Sequence, residues 1–452
     1  MMTKDEERRT NSERVPASIR TTSLLMLVML LALAALTGYW QVARGPSLTA
    51  RDDNPRNVLA ERLVPRGAIL DRNGQSLAAS QNSENGYVRY YPERAAEPVV
   101  GYYSLRYGVG GAEATFDAEL RGTAGRTRMD AFKDELLHRI PPGHSVQLTL
   151  DLPAQQAADT ALGDHAGAVV VLSAPEGEVI ALASHPTFNP ATLDDDWERL
   201  RADASSPLLN RATQGSYQPG AAFQTIILAE AISRGLAHLT DTVPSADAPV
   251  TVGDATLRCA APPAGETLAA AFAAGCPAPF AMLADKFDAR GMAAAIGRWE
   301  LDVAPDRLGL PAHVSVIAPE TLSNTQATRD LALGQGALTV SPLQMASVIG
   351  AIVNDGHPLG APHLTQGPAP ATPALPIMSS EVAGAIRAAL PAHGGLAGQT
   401  ALAVGGENQL AWFIGFAPVD SPQWVIVVLL EDGDGVTAHQ IAALVNAKLM
   451  AP

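Results

Sequence analysis

The sequence has little lysine, little cysteine and no excess of positive charge. Only four of its 452 residues are lysines, at positions 4, 133, 286 and 448, and none follows a serine by three positions. This excludes a Ser-x-x-Lys pair, in which an amine one helical turn away takes the proton of a serine nucleophile. The formal net charge of −15 leaves no basic surface for nucleic acid, so we expect no nucleic-acid partner.

Candidate metal ligands and reactive thiols are equally scarce. The two cysteines, Cys259 and Cys276, either form one disulfide or remain two buried thiols, and the sequence leaves this open. A nucleophilic Cys276 is a further alternative, although no histidine or lysine is placed to activate it. The ten histidines show no His-Glu-x-x-His or Cys/His spacing, so we expect neither a metal nor another cofactor.

One long apolar run stands near the N-terminus. Residues 21–43 carry no charge and are long enough to cross roughly 30 Å of hydrocarbon, with Tyr39 and Trp40 as an interfacial anchor. A cleaved signal peptide is the alternative, but its apolar core would span only about 7–15 residues. More cations precede the run than follow it. The positive-inside rule therefore predicts a cytoplasmic tail at residues 1–20 and the main domains outside the membrane.

The rest of the chain divides into two regions of different sequence pattern. Residues 44–141 are rich in turns, and the Asn-Gly pair at 73–74 predicts a hairpin. Residues 142–452 predict an α/β domain whose sheet is built from both ends of the segment. Its elements are a strand before Asp151, a helix that Asp151 caps, an apolar hairpin at 166–184, a helical middle from about 220 to 350, a loop at 360–376, a second hairpin at 410–432, and a closing helix at 436–450.

Several segments, in this order, resemble those of the class B penicillin-binding proteins, the monofunctional peptidoglycan transpeptidases. They are NPRN at 54–57, RGAILDRNGQSLA at 66–78, LTLDLPAQQAA at 148–158, LLNRATQGSYQPG at 208–220, LALGQGALTVSPLQ at 331–344 and AWFIGFAP at 411–418. The resemblance covers nearly everything from the span to the C-terminus. It implies one transmembrane helix, a β-rich pedestal (dimerisation-like) module at 44–141, and a penicillin-binding/serine-transpeptidase fold at 142–452. This last fold is a mainly antiparallel sheet flanked by helices, with a helical subdomain.

The chemistry of that family depends on three short motifs, and the resemblance places all three here in altered form. The vestigial positions are Ala221 and Gln224 for Ser-x-x-Lys, Gly275 and Pro277 for Ser-x-Asn, and Gln399, Thr400 and Ala401 for Lys-Thr/Ser-Gly. An alanine methyl has no lone pair with which to attack a carbonyl. Loss of the nucleophile alone lowers turnover in a serine hydrolase by a factor on the order of 10⁶. We therefore expect no functional catalytic residue.

The residues around these positions match the family, as expected for a chain that keeps the fold and has lost the catalytic residues. The cleft-supporting set that the resemblance implies is Tyr217, Pro219, Gly220, Phe223, Gly334, Gln335, Gly336 and Trp412. Ser216, the nearest serine, is expected to face away from the helix entrance. The plain alternative is that Ala221 and Ala222 merely start a helix beneath a neighbouring loop and that Gln224 is a surface residue.

Three functions follow from the resemblance. The first is a catalytically inactive homologue in the bacterial cell envelope that scaffolds or regulates peptidoglycan synthesis with a polytopic SEDS-type glycosyltransferase. The second is a module that binds or senses peptidoglycan stem peptides non-covalently, using Thr400 and Gln399 as hydrogen-bonding groups. The third is a D,D-transpeptidase that is active by an unrecognised route.

Overall fold

The computed structural model of this chain describes residues 4–44, 61–137, 139–317, 324–365, 375–406 and 408–451. Contacts divide the chain into two compact units, Met1–Leu63 and Val64–Pro452. The NPRN segment at 54–57 and part of the loop at 360–376 lie outside the described residues.

The first unit contains the long helix α1, Lys4–Tyr39, followed by a π-helical turn, Trp40–Arg44. Within α1, Ile19–Tyr39 is long and apolar enough to cross a membrane. The helix thus coincides with most of the span expected from the sequence. Its orientation stays a prediction.

The second unit contains fourteen strands among its described residues, and the inner strands of its large sheet follow apolar, β-branched runs of the sequence. The fourteen strands are β1 (Ile69–Leu70), β2 (Ser76–Ser83), β3 (Gly86–Tyr90), β4 (Tyr102–Ser104), β5 (Gly108–Gly110), β6 (Val146–Gln147), β7 (Gly167–Ser173), β8 (Val179–His185), β9 (Val250–Val252), β10 (Ala255–Leu257), β11 (Ala392–His393), β12 (Leu396–Gly405), β13 (Asn408–Ala417) and β14 (Trp424–Leu430).

The helices of this unit begin mostly at side-chain caps, as at Asp151, whose carboxylate accepts the Ala154 amide. They are α2 (Glu97–Val100), α3 (Ala112–Thr115), α4 (Asp117–Leu120), α5 (Arg128–Leu137), α6 (Leu152–Leu162), α7 (Leu193–Ala202), α8 (Gln224–Ser233), α9 (Leu268–Ala273), α10 (Pro277–Ala284), α11 (Ala289–Arg298), α12 (Thr325–Ala332), α13 (Pro342–Val353), α14 (Ser380–Ala389) and α15 (Gly435–Leu449). Short 3₁₀ turns occupy Arg94–Ala96, Pro190–Thr192 and Gly220–Phe223.

A six-stranded antiparallel sheet forms the centre of the second unit, in the order β11-β12-β13-β14-β7-β8. Its two halves come from opposite ends of the domain and join where Val427 of β14 pairs with Val170 of β7. This confirms the expected sheet built from both ends. The inner strands are covered on both faces, which explains why they read as continuous apolar runs.

Helices cover this sheet on its two sides. Helices α6 and α15 pack on one face with Val169, Val171 and Val428. Helices α8 and α13 belong to the larger core on the other face. Burying each Val, Leu or Ile side chain contributes roughly 1.5–3 kcal/mol, so these layers fix the sheet edge on which the candidate site is built.

The region before the large sheet has its own small sheet, ordered β3-β2-β1-β6, and a buried cluster of charges. Glu113 is fully buried and accepts hydrogen bonds from both Arg66 (3.0 Å) and Arg89 (2.5 Å). Arg66 also donates to Asp117 at 2.6 Å. Each buried charge thus has a partner, which burial in a medium of low dielectric constant requires.

The small sheet is joined directly to the larger domain. Strand β6 pairs in parallel with β1, and the buried carboxylate of Asp71 accepts the amides of Asn73 (2.8 Å), Gln75 (2.7 Å) and Leu152 (3.3 Å). One carboxylate therefore closes the Asn-Gly turn and holds the first turn of α6. The expected hairpin on either side of this turn is confirmed by the antiparallel pairing of β1 with β2.

Candidate functional site

The helix entrance at residues 217–224 makes a tight turn that only glycine permits. Gly220 has φ +52, and its amide donates to the Gly334 carbonyl at 2.9 Å. A Cβ placed on Gly220 would lie 2.2 Å from the Leu402 carbonyl oxygen. The left-handed backbone and the close approach together explain why glycine stands immediately before Ala221.

Three segments that are distant in sequence meet at Ala221. A Cβ built on Gly275 would lie 3.5 Å from the Ala221 Cβ and 3.1 Å from the Thr400 carbonyl oxygen. Gly275 itself has φ +63, and Pro277 opens α10 two residues later. The structure thus brings together one position from each of the three altered motifs. Where they meet, the first motif contributes the Ala221 methyl group, the second contributes Gly275, and the third contributes the Thr400 backbone carbonyl.

The two glutamines at the expected lysine positions are buried and hold the same turn. Gln224 is 1% exposed and donates its side-chain amide to the Cys276 carbonyl at 3.1 Å. Gln399 is fully buried and donates to the Phe272 carbonyl at 2.5 Å. The surface alternative for Gln224 is wrong, because the turn between α9 and α10 covers it. Neither side-chain oxygen has a hydrogen-bond partner among the described residues.

Strand β12 presents its motif positions to opposite sides of the sheet. Gln399 and Ala401 are both fully buried, as their shared side of the strand requires. Thr400 lies between them, is half-buried, and is next to Gly435 at the start of α15, where an added Cβ would come within 3.1 Å of the Thr400 Cβ. Of the two residues that the sequence offered as hydrogen-bonding groups for a peptide, Gln399 is thus buried, and only Thr400 is partly exposed.

A buried hydrogen-bond network fixes the residue that precedes the turn. The Tyr217 hydroxyl donates to Glu431 at 2.7 Å, and Arg211 donates to the same carboxylate oxygen at 2.8 Å. Burial raises the pKa of the Tyr217 hydroxyl above its usual value, with the Glu431 charge as a second cause. The ring of Trp412 packs edge-on at 6.3 Å, and its indole donates to the Gln218 carbonyl at 3.1 Å.

Arg211 and Glu431 were not singled out from the sequence. They are separated by 220 positions, so no local spacing could have indicated the pair. The side chain of Arg211 is buried and also donates to the Ser205 and Ser206 carbonyls, an arrangement that only the folded chain reveals.

The loop at 334–336 contacts the helix entrance directly. Gly334 accepts the Gly220 amide, and the Gln218 side chain donates to the Gly336 carbonyl at 2.9 Å. Gln335 is buried between the two glycines. The loop therefore supports the turn that carries Ala221.

Among the described residues, the serine and the lysine nearest in sequence to the motif positions form hydrogen bonds of their own. Ser216 is exposed, and its hydroxyl donates to the Thr339 hydroxyl at 2.8 Å. Lys286 follows α10 and donates to the Leu236 carbonyl at 2.7 Å. Both groups are already engaged with their own partners.

Cys259 and Cys276 form a disulfide, which resolves the choice that the sequence left open. Cys276 is the N-cap residue of α10, between Gly275 and Pro277. The amide of Ala260 donates to the Ala274 carbonyl at 2.9 Å beside the bridge. A bonded Cys276 has no thiolate, so the nucleophilic alternative for this residue is wrong.

Residues 167–451 match the family described as the penicillin binding protein transpeptidase domain, and residues 66–146 match the penicillin binding protein A dimerisation domain. The chain belongs to the penicillin-binding protein transpeptidase family. The fold expected from the sequence resemblance is thereby confirmed.

Relatives of this penicillin-binding protein are similar over almost their whole length. The peptidoglycan D,D-transpeptidase PbpA of Mycolicibacterium smegmatis is 32% identical, with 92% of this chain and 94% of PbpA covered. The PbpA of Mycobacterium tuberculosis H37Rv is 29% identical, with 92% and 93% covered. An imipenem acyl-enzyme complex of penicillin-binding protein A from M. tuberculosis superposes with a TM-score of 0.75 at 28% identity, over 87% of this chain and 100% of that one.

In this penicillin-binding protein, two sizeable cavities lie away from the three motif positions. The larger, about 1200 Å³, is bounded by residues 299–307 and 357–363. The smaller, about 220 Å³, lies between residues 97–111 and 184–214. Among the described residues, no group of three or more His, Cys, Asp or Glu side chains could hold a metal ion.

Proposed function

We propose that this chain is a non-catalytic penicillin-binding protein homologue of the cell envelope that scaffolds or regulates peptidoglycan synthesis. The observation that carries the proposal is the chemistry at the meeting point of the three motif segments. Ala221 offers a methyl group where acyl transfer requires a nucleophilic oxygen. Gln224 and Gln399 are neutral amides, which cannot take up a proton at physiological pH.

The serine, lysine, cysteine and tyrosine that could replace the expected groups are already engaged. Ser216 is bonded to Thr339, Lys286 to Leu236, and Cys276 to Cys259. Tyr217 is held by Glu431, and its raised pKa keeps its hydroxyl protonated. Their engagement supports the proposed loss of acyl transfer.

Fluorescent penicillin tests the loss of catalysis. Membranes containing the full chain are incubated with the label, beside membranes containing an active relative, and separated on a denaturing gel. We expect a covalent, heat-stable band for the active relative and none for this chain. A band at the mass of this chain that survives heating would refute the proposal and favour an unrecognised catalytic route.

The partner we propose is a polytopic SEDS-type glycosyltransferase, contacted through the membrane helix and the small-sheet module at 66–146. Retention of that module and of α1 supports this, because neither serves acyl transfer directly. In this arrangement the N-terminus is cytoplasmic and the large domain lies outside. Co-purification from detergent extracts should persist with the Ala221→Gly variant, which leaves both contact regions unchanged. It should be lost when residues 21–43 are replaced by an unrelated span. Glycan polymerisation that is unaffected by deleting this chain would contradict the proposal.

Stem-peptide binding is the second candidate function, and Thr400, the half-buried motif residue on β12, favours it. Strand β11 pairs only with Leu396 and Ala397, so in the described part of the chain the remainder of β12 has a strand partner on one side alone. An extended peptide can add to an unpaired edge through backbone hydrogen bonds, and on β12 it would displace Gly220 and Gly275 from the Leu402 and Thr400 carbonyls. Saturable binding of muropeptides to the full chain, weakened by Thr400→Val, would support this function. Absence of saturation would exclude it.

A further inference from the structure

The smaller cavity lies where the region matching the dimerisation domain meets the transpeptidase domain. Its walls include Tyr102 and Gly111 from the first region and Phe188, Leu208 and Leu310 from the second. The rings of Tyr102 and Phe188 meet edge to face at 6.0 Å. The volume of about 220 Å³ equals that of about seven water molecules, which is room for a small organic ion.

Glu97 gives this cavity its chemical character. It is the only acidic or basic side chain among the described residues that line the walls, and it is 6% exposed. One carboxyl oxygen accepts the hydroxyl of Thr187. Burial raises the pKa of the Glu97 carboxyl to about 8, so it is largely protonated at neutral pH.

A second wall residue has an unused hydrogen-bonding group. Thr213 is 1% exposed, and its hydroxyl has no partner among the described residues. Buried hydroxyls in native proteins are almost always bonded, so this group indicates that an acceptor or donor is supplied from outside the chain.

We propose that this cavity binds the ammonium end of a small primary alkylammonium ligand. The ammonium has three N–H donors, which suit the Glu97 carboxylate and the Thr213 hydroxyl. The rings of Tyr102 and Phe188 line the cavity and can attract a cation, and Leu208 can contact the alkyl stem. On binding, the Glu97 carboxyl releases its proton to solvent and becomes the counter-ion.

No charge of the described neighbours neutralises Glu97, so a bound cation can do so. From the neighbouring elements, Asp159 of α6 raises the Glu97 pKa further, and Arg94 lowers it least of the causes. Asp159 is engaged by His185 at 2.7 Å, at the end of β8. Glu113 of α3 is bonded to its two arginines. No cation of the described chain therefore pairs with Glu97.

The test uses the full chain in lipid nanodiscs and n-butylammonium chloride as the probe, with n-butanol as its uncharged counterpart. Ligand-observed NMR titrations give the dissociation constant at pH 6 and at pH 7. Because binding displaces one proton from a group that titrates near pH 8, the butylammonium Kd should fall about 10-fold from pH 6 to pH 7. Butanol should show no such dependence.

Two variants locate the site. Glu97→Gln, which keeps the shape and the acceptor for Thr187, should weaken butylammonium binding at least about 10-fold at pH 7 and abolish its pH dependence. Thr213→Val should weaken binding by about 3-fold, and the exposed Thr192→Val should leave it unchanged. Binding to the unaltered chain that does not vary with pH, binding that Glu97→Gln leaves intact, or no binding of butylammonium would each overturn the proposal.

Discussion

Gln224 and Gln399, which come from different elements, donate their side-chain amides to two carbonyls on either side of the α9–α10 turn, those of Cys276 and Phe272. The sequence resemblance predicts that both glutamines stand at positions where the family carries lysine. A neutral amide can donate to a backbone carbonyl without bringing a charge into the interior. Two neutral amides therefore suit positions that stabilise the α9–α10 turn without burying a charge there.

Returning a lysine to position 399 should destabilise the fold. Gln399→Lys buries an ammonium where the described neighbours offer only a carbonyl, and we expect a loss of about 3 kcal/mol at pH 7. The volume-matched Gln399→Met should lose less than about 1.5 kcal/mol. Urea unfolding of the full chain measures both values.

The pH dependence of that difference separates charge from shape. Burial lowers the pKa of a lysine, so the unfolded state binds more protons and the stability of Gln399→Lys should rise with pH. Its deficit relative to Gln399→Met should shrink by up to about 1.4 kcal/mol per pH unit. Equal deficits at pH 6 and pH 9 would show that the ammonium finds a compensating partner.

Gly220 should tolerate a side chain far less well than another glycine of similar backbone. Gly220→Ala places its Cβ against the Leu402 carbonyl oxygen and should lower the free energy of unfolding by more than about 2 kcal/mol. Gly235, with φ +66 and open space around its Cβ position, is the control, and Gly235→Ala should lose about 1 kcal/mol. Equal shifts in the denaturation midpoint would contradict this account of the turn.

The buried charge cluster gives a third prediction. Glu113→Gln leaves the buried Arg66 and Arg89 without their shared carboxylate and should cost about 3–5 kcal/mol. Glu178→Gln, which breaks the partly exposed pair with Arg72, should cost no more than about 1 kcal/mol. Chemical denaturation in the same buffer compares the two, and a larger loss for Glu178 would refute the ranking.

Glu97 should make the fold less stable as the pH rises. Its pKa of about 8 in the folded chain lies above its value when unfolded, so between about pH 5 and pH 8 the folded state binds more protons. Stability relative to Glu97→Gln should therefore fall by up to about 1.4 kcal/mol per pH unit over this window. Unfolding curves at pH 5 and pH 7 measure it. His185 titrates in both proteins and cancels in the comparison. A constant difference would place the Glu97 pKa outside the window.

Much of the architecture could be predicted from local pattern. The apolar hairpins became β7 with β8 and β13 with β14, because runs of Val, Ile and Leu of strand length suit strands covered on both faces. The Asp151 cap marked the start of α6. Pairing between distant segments could not be predicted in this way, because no local sequence pattern indicates the parallel pairing of β6 with β1.

In the candidate site, too, local features could be predicted from the sequence and contacts between distant residues could not. The Pro-Gly turn before Ala221 is a local feature and was predicted. One alternative from the sequence placed Gln224 on the surface, because a polar residue at a helix start is usually exposed. In the structure the α9–α10 turn covers Gln224 and buries it. The Tyr217–Glu431–Arg211 network joins residues more than 200 positions apart and could not be read from spacing.

The contact of Gly220 with the Leu402 carbonyl sets different limits on two neighbouring positions. A side chain at position 220 would collide with the sheet edge whatever the protein does, so folding alone constrains this glycine. Ala221, one residue later, lies outside this contact, so its side chain can differ between relatives without altering the turn. The residue at 220 therefore reports on folding, and only the residue at 221 can report on chemistry.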